Sequence, residues 1–343
     1  MIEQTLIDKG VAMRLRVFAF ALLVVLSVSA VIGTAQAREE SFESWLAGVK
    51  REAAQKGISQ NLIDRAFVGV NAPIPRIIEL DRKQPEGTMT FAKYRERVIS
   101  QARINKGREM LRTHRAELDR AAERFGVQPQ YIVALWGIET SYGDNTGGFG
   151  VIPALSTLAY DGRRSEFFRG ELMNALKILD AGHIAPEAMK GSWAGAMGQN
   201  QFMPSSFNAY AVDGNGDGKR DIWTSLPDVF ASSANYLSRH GWKAGERWGR
   251  AVKLPQGFAK ANTGLDVKKP LSAWGAMGVT LPDGSALPSG VDMEASVVVP
   301  DGIGGPAFLV YDNFRVIMRW NKSTYFATSV GLLADAIAQH TDG

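Results

Sequence analysis

The stretch at residues 129–143, PQYIVALWGIETSYG, constrains the fold more than any other part of the chain. Pro129 suits the first position of a helix and Gly143 a stop, and Ile132, Leu135, Trp136 and Ile138 recur at helical spacing between them. An apolar face of this kind must be buried. Glu139 falls four residues after Leu135 and seven after Ile132, which places a carboxylate on that same face. Two readings follow. An apolar surround disfavours the charged form, raises the pKa and keeps a proton available near neutral pH for general acid chemistry. The other reading is a helix-end glutamate paired with an arginine or bonded to backbone amides.

The surrounding sequence narrows the setting. A chain of 343 residues suffices for one large domain or two ordinary ones, with ample apolar content for a core. The formal charge is +4, and losing Glu3, Asp8, Lys9, Arg14 and Arg16 with the first 37 residues leaves +3. No run of five like charges occurs, which argues against a phosphate-binding stripe and against a nucleic-acid partner. A weakly basic surface suits a polyanionic matrix such as a cell wall. There is no cysteine, which excludes disulfides, cysteine nucleophiles and lipid attachment through an N-terminal cysteine. Arg14 and Arg16 precede an apolar run at 17–32, and Ala35, Gln36 and Ala37 form a small-x-small cleavage site. These parts read as a signal peptide over 1–37, so the expectation is an exported, periplasmic enzyme, with an uncleaved anchor as the other reading.

From Ser41 the chain reads as helix. Phe42, Trp45, Leu46, Val49 and Ala53 repeat at three and four, Gly57 ends the segment, and Ser59 caps a second helix through Phe67. A proline-marked turn at 73–75 leads to a long pattern from Phe91 through Tyr94, Val98, Ile104 and Leu118 to Gly126. Its arginine- and lysine-rich side reads as a solvated face. The segment GDNTGGFGVIPALSTLAYDGRRSEFFRGEL is glycine-rich and turns helical around Phe167, Phe168 and Leu172. Arg163 and Arg164 suit a carboxylate partner or surface ion pairs.

The loop at 191–210, GSWAGAMGQNQFMPSSFNAY, is the most informative. Gly191, Gly195 and Gly198 permit close backbone approach, Gln199, Asn200 and Gln201 supply donors and acceptors, and Trp193 and Phe202 add flat faces. This composition suits an uncharged N-acetyl sugar better than a phosphate or a metal; without a ligand, three consecutive amides need extensive backbone pairing to be buried. Next, Asp213, Asn215, Asp217, Gly218 and Asp221 fill positions 1, 3, 5, 6 and 9 of a calcium-loop pattern at 213–224, with the Lys219 carbonyl at position 7. Position 12 is Thr224, so the bidentate glutamate is missing unless Asp228 or a water replaces it. A structural Ca2+ and a metal-free Asp/Gly turn both remain open, and no cofactor is required for chemistry.

In this order the segments ALWGIETSYG, YDGRRSEFFRGEL, GSWAGAMGQNQFMPSSFNAYAVDGNGDGKRDIW, SANYLSRHGW and NFRVIMRWNKSTYFA resemble the lytic murein transglycosylases of the membrane-bound B type. The resemblance implies a mainly α (α+β) protein with a lysozyme-like helical catalytic domain. It also implies cleavage of the N-acetylmuramic acid β-1,4-N-acetylglucosamine bond of peptidoglycan without water, giving 1,6-anhydro products. Glu139 falls on the family's acid/base. Ser192 and Gln201 would sit beside it, Arg163 and Arg164 would line the cleft, and Tyr236 would be an active-site tyrosine. Phe167, Trp320 and Phe326 stand where tyrosines are expected and would retain sugar stacking. Asp213, Asn215, Asp217, Lys219 and Asp221 would take the metal positions. Glycan strands are the implied partner of a monomer, with cell-wall synthases the protein class to consider.

Prolines and glycines punctuate the rest, with strand-like stretches at 296–299 and 307–311 before a last helix at 327–337. The expected organisation is a helical part at 38–126, a catalytic core at 127–249 and a small α/β subdomain at 250–343 that folds back on the cleft. Two other functions compete: a hydrolytic muramidase or chitinase-like enzyme, and a non-catalytic wall-binding scaffold. A water-using glycosidase normally needs two carboxylates, and only Asp144 and Asp161 stand near Glu139 in sequence.

Overall fold

A computed structural model of the chain describes residues 40–83, 89–290 and 293–339; the expected signal peptide at 1–37 lies outside them. Ser41–Gly343 form one compact unit. Its chain order begins with helices α1 (Phe42–Gln55), α2 (Gln60–Ala66), α3 (Pro75–Arg82), α4 (Phe91–Val98), α5 (Gln101–Thr113), α6 (Arg115–Phe125) and α7 (Pro129–Thr140). Strand β1 (Phe149–Gly150), α8 (Val151–Tyr160), α9 (Ser165–Asp180), β2 (Lys190–Gly191), α10 (Pro204–Tyr210) and α11 (Leu226–Arg239) follow. The last third holds β3 (Gly249–Val252), β4 (Lys269–Pro270), α12 (Leu271–Ala276), β5 (Glu294–Val298), β6 (Ala307–Val310), α13 (Asp312–Trp320) and α14 (Thr324–Ala338). No helix among the described residues is long and apolar enough to cross a membrane.

Helix α7 is the axis of the fold. Tyr131, Ile132, Val133, Ala134, Leu135, Trp136 and Gly137 are all buried, so the helix is covered on every side rather than on the single face its spacing suggested. Helices α5, α6, α11 and α14 surround it. Gly137 lets the ring of Tyr142, in the turn after the helix, fold back against it: a Cβ there would lie 2.6 Å from that ring.

The long helical pattern at 91–126 is divided into three. Ser100 caps α5 by accepting from the Arg103 amide, and the chain turns again at His114. Helix α8 was not anticipated, because the segment read as glycine-rich until it turned helical around Phe167. Pro153 occupies the first turn, where its missing N–H has no helical partner to lose.

The four-stranded sheet has the order β3-β6-β5-β4 with antiparallel pairings. Its central strand β6 alternates between two cores. Phe308 and Val310 join the main helical core, while Ala307, Leu309 and the following Tyr311 join a second cluster with Phe258, Leu271 and Trp274. Being buried on both faces, the strand is apolar throughout. After β6 the chain returns to the helical body, where Phe314 and Ile317 of α13 and Val330 and Leu333 of α14 belong to the main core. That return carries Trp320 onto α7.

Candidate active site

Helix α7 stops one residue after Glu139. Ser141 (φ 54°) and Tyr142 (φ 64°) are both left-handed, and Gly143 (φ 87°) continues the turn. Two non-glycine residues there cost about 1–2 kcal/mol each. Neighbouring groups offset this cost. The Tyr142 hydroxyl donates to the Arg103 carbonyl at 2.7 Å, Arg103 donates to Ser141 Oγ at 2.9 Å, and the Gly143 amide donates to Thr140 Oγ1 at 3.1 Å. The buried Thr140 hydroxyl in turn donates to the Gln199 carbonyl at 3.1 Å. Glu139 is therefore held at the end of a rigid helix, on a turn clamped from α5 and from the amide loop.

The residue as a whole is half-buried. Burial pushes its pKa up to about 7, against the opposing pull of a hydrogen bond from Trp320. The Trp320 indole Nε1 donates to Oε1 at 2.8 Å, and Oε2 has no partner among the described residues. The position near the C-terminus of α7, with no basic residue in the last turn, also opposes a negative charge. No arginine or backbone amide reaches the Glu139 carboxyl among the described residues; its one partner is the Trp320 indole, and burial raises its pKa.

Trp320 is wedged between Phe202 and Tyr236, with ring centroids at 5.1 and 4.8 Å. The Tyr236 hydroxyl is committed to the Arg319 carbonyl at 2.7 Å and its ring stacks on His240 at 4.2 Å, so Tyr236 supports Trp320 from behind. Phe326 is 4% exposed and lies in the main core, as does Phe202. This corrects the expectation of sugar-stacking faces at both: a ring enclosed by protein has no face left for a ligand. Phe167 does offer one, being 50% exposed and edge-on to Phe168.

Arg163 and Arg164 both engage Asp81 of α3, a carboxylate only 1% exposed, at 3.1 and 2.7 Å. Arg164 also lies over the Phe168 ring. None of the contacts described joins either arginine to Glu139. Tyr94 of α4 was taken for part of an amphipathic helix, yet its hydroxyl pKa is raised by burial and then by the charge of Glu139, which places it in the field of that carboxylate. Its neighbours Lys93, Arg95 and Arg97 hid it in a stretch that read as solvated surface.

The glycine and amide loop is held mostly by its own backbone. Strand β1 pairs with β2, and single bridges join Gly191 to Met197 and Met197 to Phe202. A Cβ on Gly191 would meet the Ala196 carbonyl oxygen at 2.2 Å, so the space this glycine leaves is filled by protein. Ser192 Oγ accepts from the Ala196 amide at 3.1 Å. The Gln199 side chain accepts from Trp136 Nε1 at 2.8 Å and donates to the Trp223 carbonyl at 2.9 Å. Asn200 donates to the Val229 carbonyl and to Ser233. Both amides thus join α7 and α11 to the loop. Two of the three side-chain carbonyl oxygens have no partner among the described residues: that of Asn200, which is buried, and that of Gln201, whose amide donates to the Thr146 and Gly198 carbonyls at 3.1 and 2.9 Å. The backbone of Gln201 is also left-handed, at φ 51°.

In the loop at 213–224, Asp213 accepts from the amides of Gly216 and Gly218, Asp217 from Lys219, and Asp221 from Trp223 and Thr224. Asp228 is fully buried and accepts from the amides of Gly214 and Asp221 at 2.9 and 2.7 Å, so it braces the loop rather than replacing the missing twelfth ligand. Among the described residues no three acidic or imidazole groups gather about one point. The donors of the loop, three carboxylates with the Asn215 and Lys219 carbonyls, are all oxygen, which fits a hard cation.

Residues 41–335 match the family model described as the transglycosylase SLT domain. The chain is 36% identical over 264 residues to membrane-bound lytic murein transglycosylase B of Escherichia coli (strain K12), covering 75% of this chain and 70% of that protein. It also resembles SltB3 from Pseudomonas aeruginosa, solved in complex with NAG-anhNAM-pentapeptide, at 47% identity and a TM-score of 0.84, over 87% of this chain and 80% of that one. The E. coli lytic transglycosylase Slt35 in complex with calcium matches at 31% identity and a TM-score of 0.73, over 85% of this chain and 92% of that one.

Proposed function

The chain belongs to the SLT transglycosylase family and is a peptidoglycan lytic transglycosylase, and from that premise we propose that Glu139 alone performs both proton transfers of the reaction. The observation that carries this reading is a single carboxyl, with a pKa near 7, at the clamped end of α7. The substrate is a glycan strand, in keeping with the peptidoglycan fragment bound by SltB3. Protonated Glu139 gives its proton to the glycosidic oxygen as the bond from C1 of the muramyl sugar to that oxygen breaks and its electron pair passes to the leaving sugar. The 2-N-acetyl group of the muramyl residue stabilises C1 meanwhile. The carboxylate then takes the proton of the muramyl 6-hydroxyl as O6 closes onto C1. No water is consumed, and Glu139 returns to its starting form.

Two carboxylates that could activate water are engaged elsewhere. Asp144 is paired with Lys106, and Asp161 with Arg82 at 2.9 Å. This favours the ring-closing route over hydrolysis. Phe167 supplies an open ring for a sugar face, the free carbonyl of Gln201 an acceptor, and Ser192 the turn that shapes the loop. Arg163 and Arg164, fixed over Asp81, offer their exposed edges to the carboxylates of the stem peptide.

The loop at 213–224 is read as a structural calcium site held by Asp213, Asn215, Asp217, the Lys219 carbonyl and Asp221; Slt35 was solved with calcium. The N-terminal pattern of Arg14, Arg16 and the 35–37 cleavage site supports export to the periplasm. The test of the glutamate is Glu139→Gln on purified peptidoglycan. Turnover is expected to fall by at least about 10³-fold with strand binding retained, and near-normal turnover would overturn the assignment.

A further inference from the structure

We propose that Trp320 is the positioning residue of the acid/base: its indole N–H holds Oε1 of Glu139 as a standing acceptor, which favours the transferable proton on Oε2. The inference rests on the reading of Glu139 as acid and base, and it assigns the two oxygens of that carboxyl different jobs.

An indole nitrogen donates and cannot accept. At 2.8 Å from Oε1 it leaves no room for a second hydrogen between the two atoms, so Oε1 must present a lone pair in both protonation states. A carbonyl oxygen accepts better than the hydroxyl oxygen of an acid, so the acid form favours its proton on Oε2, the oxygen without a partner among the described residues. The indole cannot easily turn away. Phe202 and Tyr236 hold its ring, and the Tyr236 hydroxyl grips the carbonyl of the preceding residue, Arg319.

The consequence falls on both half-reactions. Oε2 releases its proton to the glycosidic oxygen as the C1–oxygen bond breaks, and the same atom receives the proton of the 6-hydroxyl as the O6–C1 bond forms. The carboxylate has no need to rotate between the steps. A carboxyl without the indole would distribute its proton over two oxygens.

The test is Trp320→Phe in the full chain, which keeps an aromatic ring against Phe202 and Tyr236 but removes the N–H. The kcat is expected to fall roughly 10–100-fold, as for loss of a hydrogen bond to a charged group, with KM changed less than about threefold. The alkaline limb of the rate profile is expected to move to higher pH, because the carboxylate has lost a donor that favoured it. If Trp320 merely covered Glu139, the substitution would admit water and the limb would stay or move down; that result overturns the proposal. A second measurement uses only the unaltered protein: the Trp320 indole N–H resonance, assigned through its contacts with the Phe202 and Tyr236 rings, should titrate with a midpoint near 7, and a flat response from pH 5 to 9 would also overturn it. Activity retained in Glu139→Gln would sink the acid reading itself. An inactive Glu139→Gln together with an unmoved limb in Trp320→Phe would sink only the role of Trp320.

Discussion

At the scale of single residues, the molecule concentrates its unusual chemistry on Glu139. A carboxyl whose folded pKa is about 7 binds more protons in the folded state than in the unfolded state, where the usual value is near 4.5. Its contribution to stability is therefore fully present below about pH 4.5 and is lost as pH rises to 7. Glu139→Gln, neutral at all pH, should accordingly stabilise the protein at pH 8 by up to about 3 kcal/mol and by much less at pH 5. Melting curves of both proteins at the two pH values measure this, and an equal difference at both would contradict the raised pKa. The glutamate was legible in the sequence because its spacing from Ile132 and Leu135 put it on an apolar face. Its partner was not. Trp320 lies 181 positions away, and nothing in local sequence says that an indole will reach across to it. Phe326 failed as a sugar platform for the converse reason: an aromatic near a cleft in sequence order is as readily packed inside as presented outside, and only the tertiary fold decides.

At the scale of elements, the site depends on helices held by distant side chains. Asp301, in the connection between β5 and β6, accepts from the amides of Phe91 and Ala92 at 2.6 and 3.3 Å and from the Tyr325 hydroxyl at 3.2 Å. A residue of the sheet region thus caps α4, the helix carrying Tyr94. Asp301→Ala should cost about 1 kcal/mol, as loss of a helix cap does, and lower the melting temperature by roughly 2–4 °C for a protein of this size. No change in melting would remove Asp301 as the anchor of α4. The loop at 213–224 makes a different prediction. If calcium binds there, the melting temperature rises with calcium over chelator in the unaltered protein, and Asp217→Ala loses that increment; equal melting with and without calcium would remove the site. Helix α4 was visible as a pattern but its end at Val98 was not, because Ser100 is one polar residue among many until its side chain is seen to cap α5. The pattern of the calcium-type loop was plain in the sequence, whereas the buried, bracing role of Asp228 was not, since a carboxylate at 228 reads equally as a ligand.

At the scale of the whole molecule, one apolar helix is surrounded by others, and a two-faced sheet ties the end of the chain back onto it. That mainly helical architecture was legible from 3.6-residue periodicity and from the order of segments shared with the murein transglycosylases. The contribution of the last helices was only partly so. The segment at 312–320 carries Phe314, Val316 and Ile317 at helical spacing, but its role lies in carrying Trp320 to Glu139, a property of the assembled fold. One carboxyl, its pKa raised by burial and its Oε1 bonded to one donor, is the arrangement on which the proposed water-free route rests. The measurement that tests this most directly is mass spectrometry of the soluble products from purified peptidoglycan treated with residues 38–343. The account predicts anhydro-muropeptides, absent when Glu139→Gln replaces the unaltered protein. Products heavier by one water, with reducing ends, would contradict it.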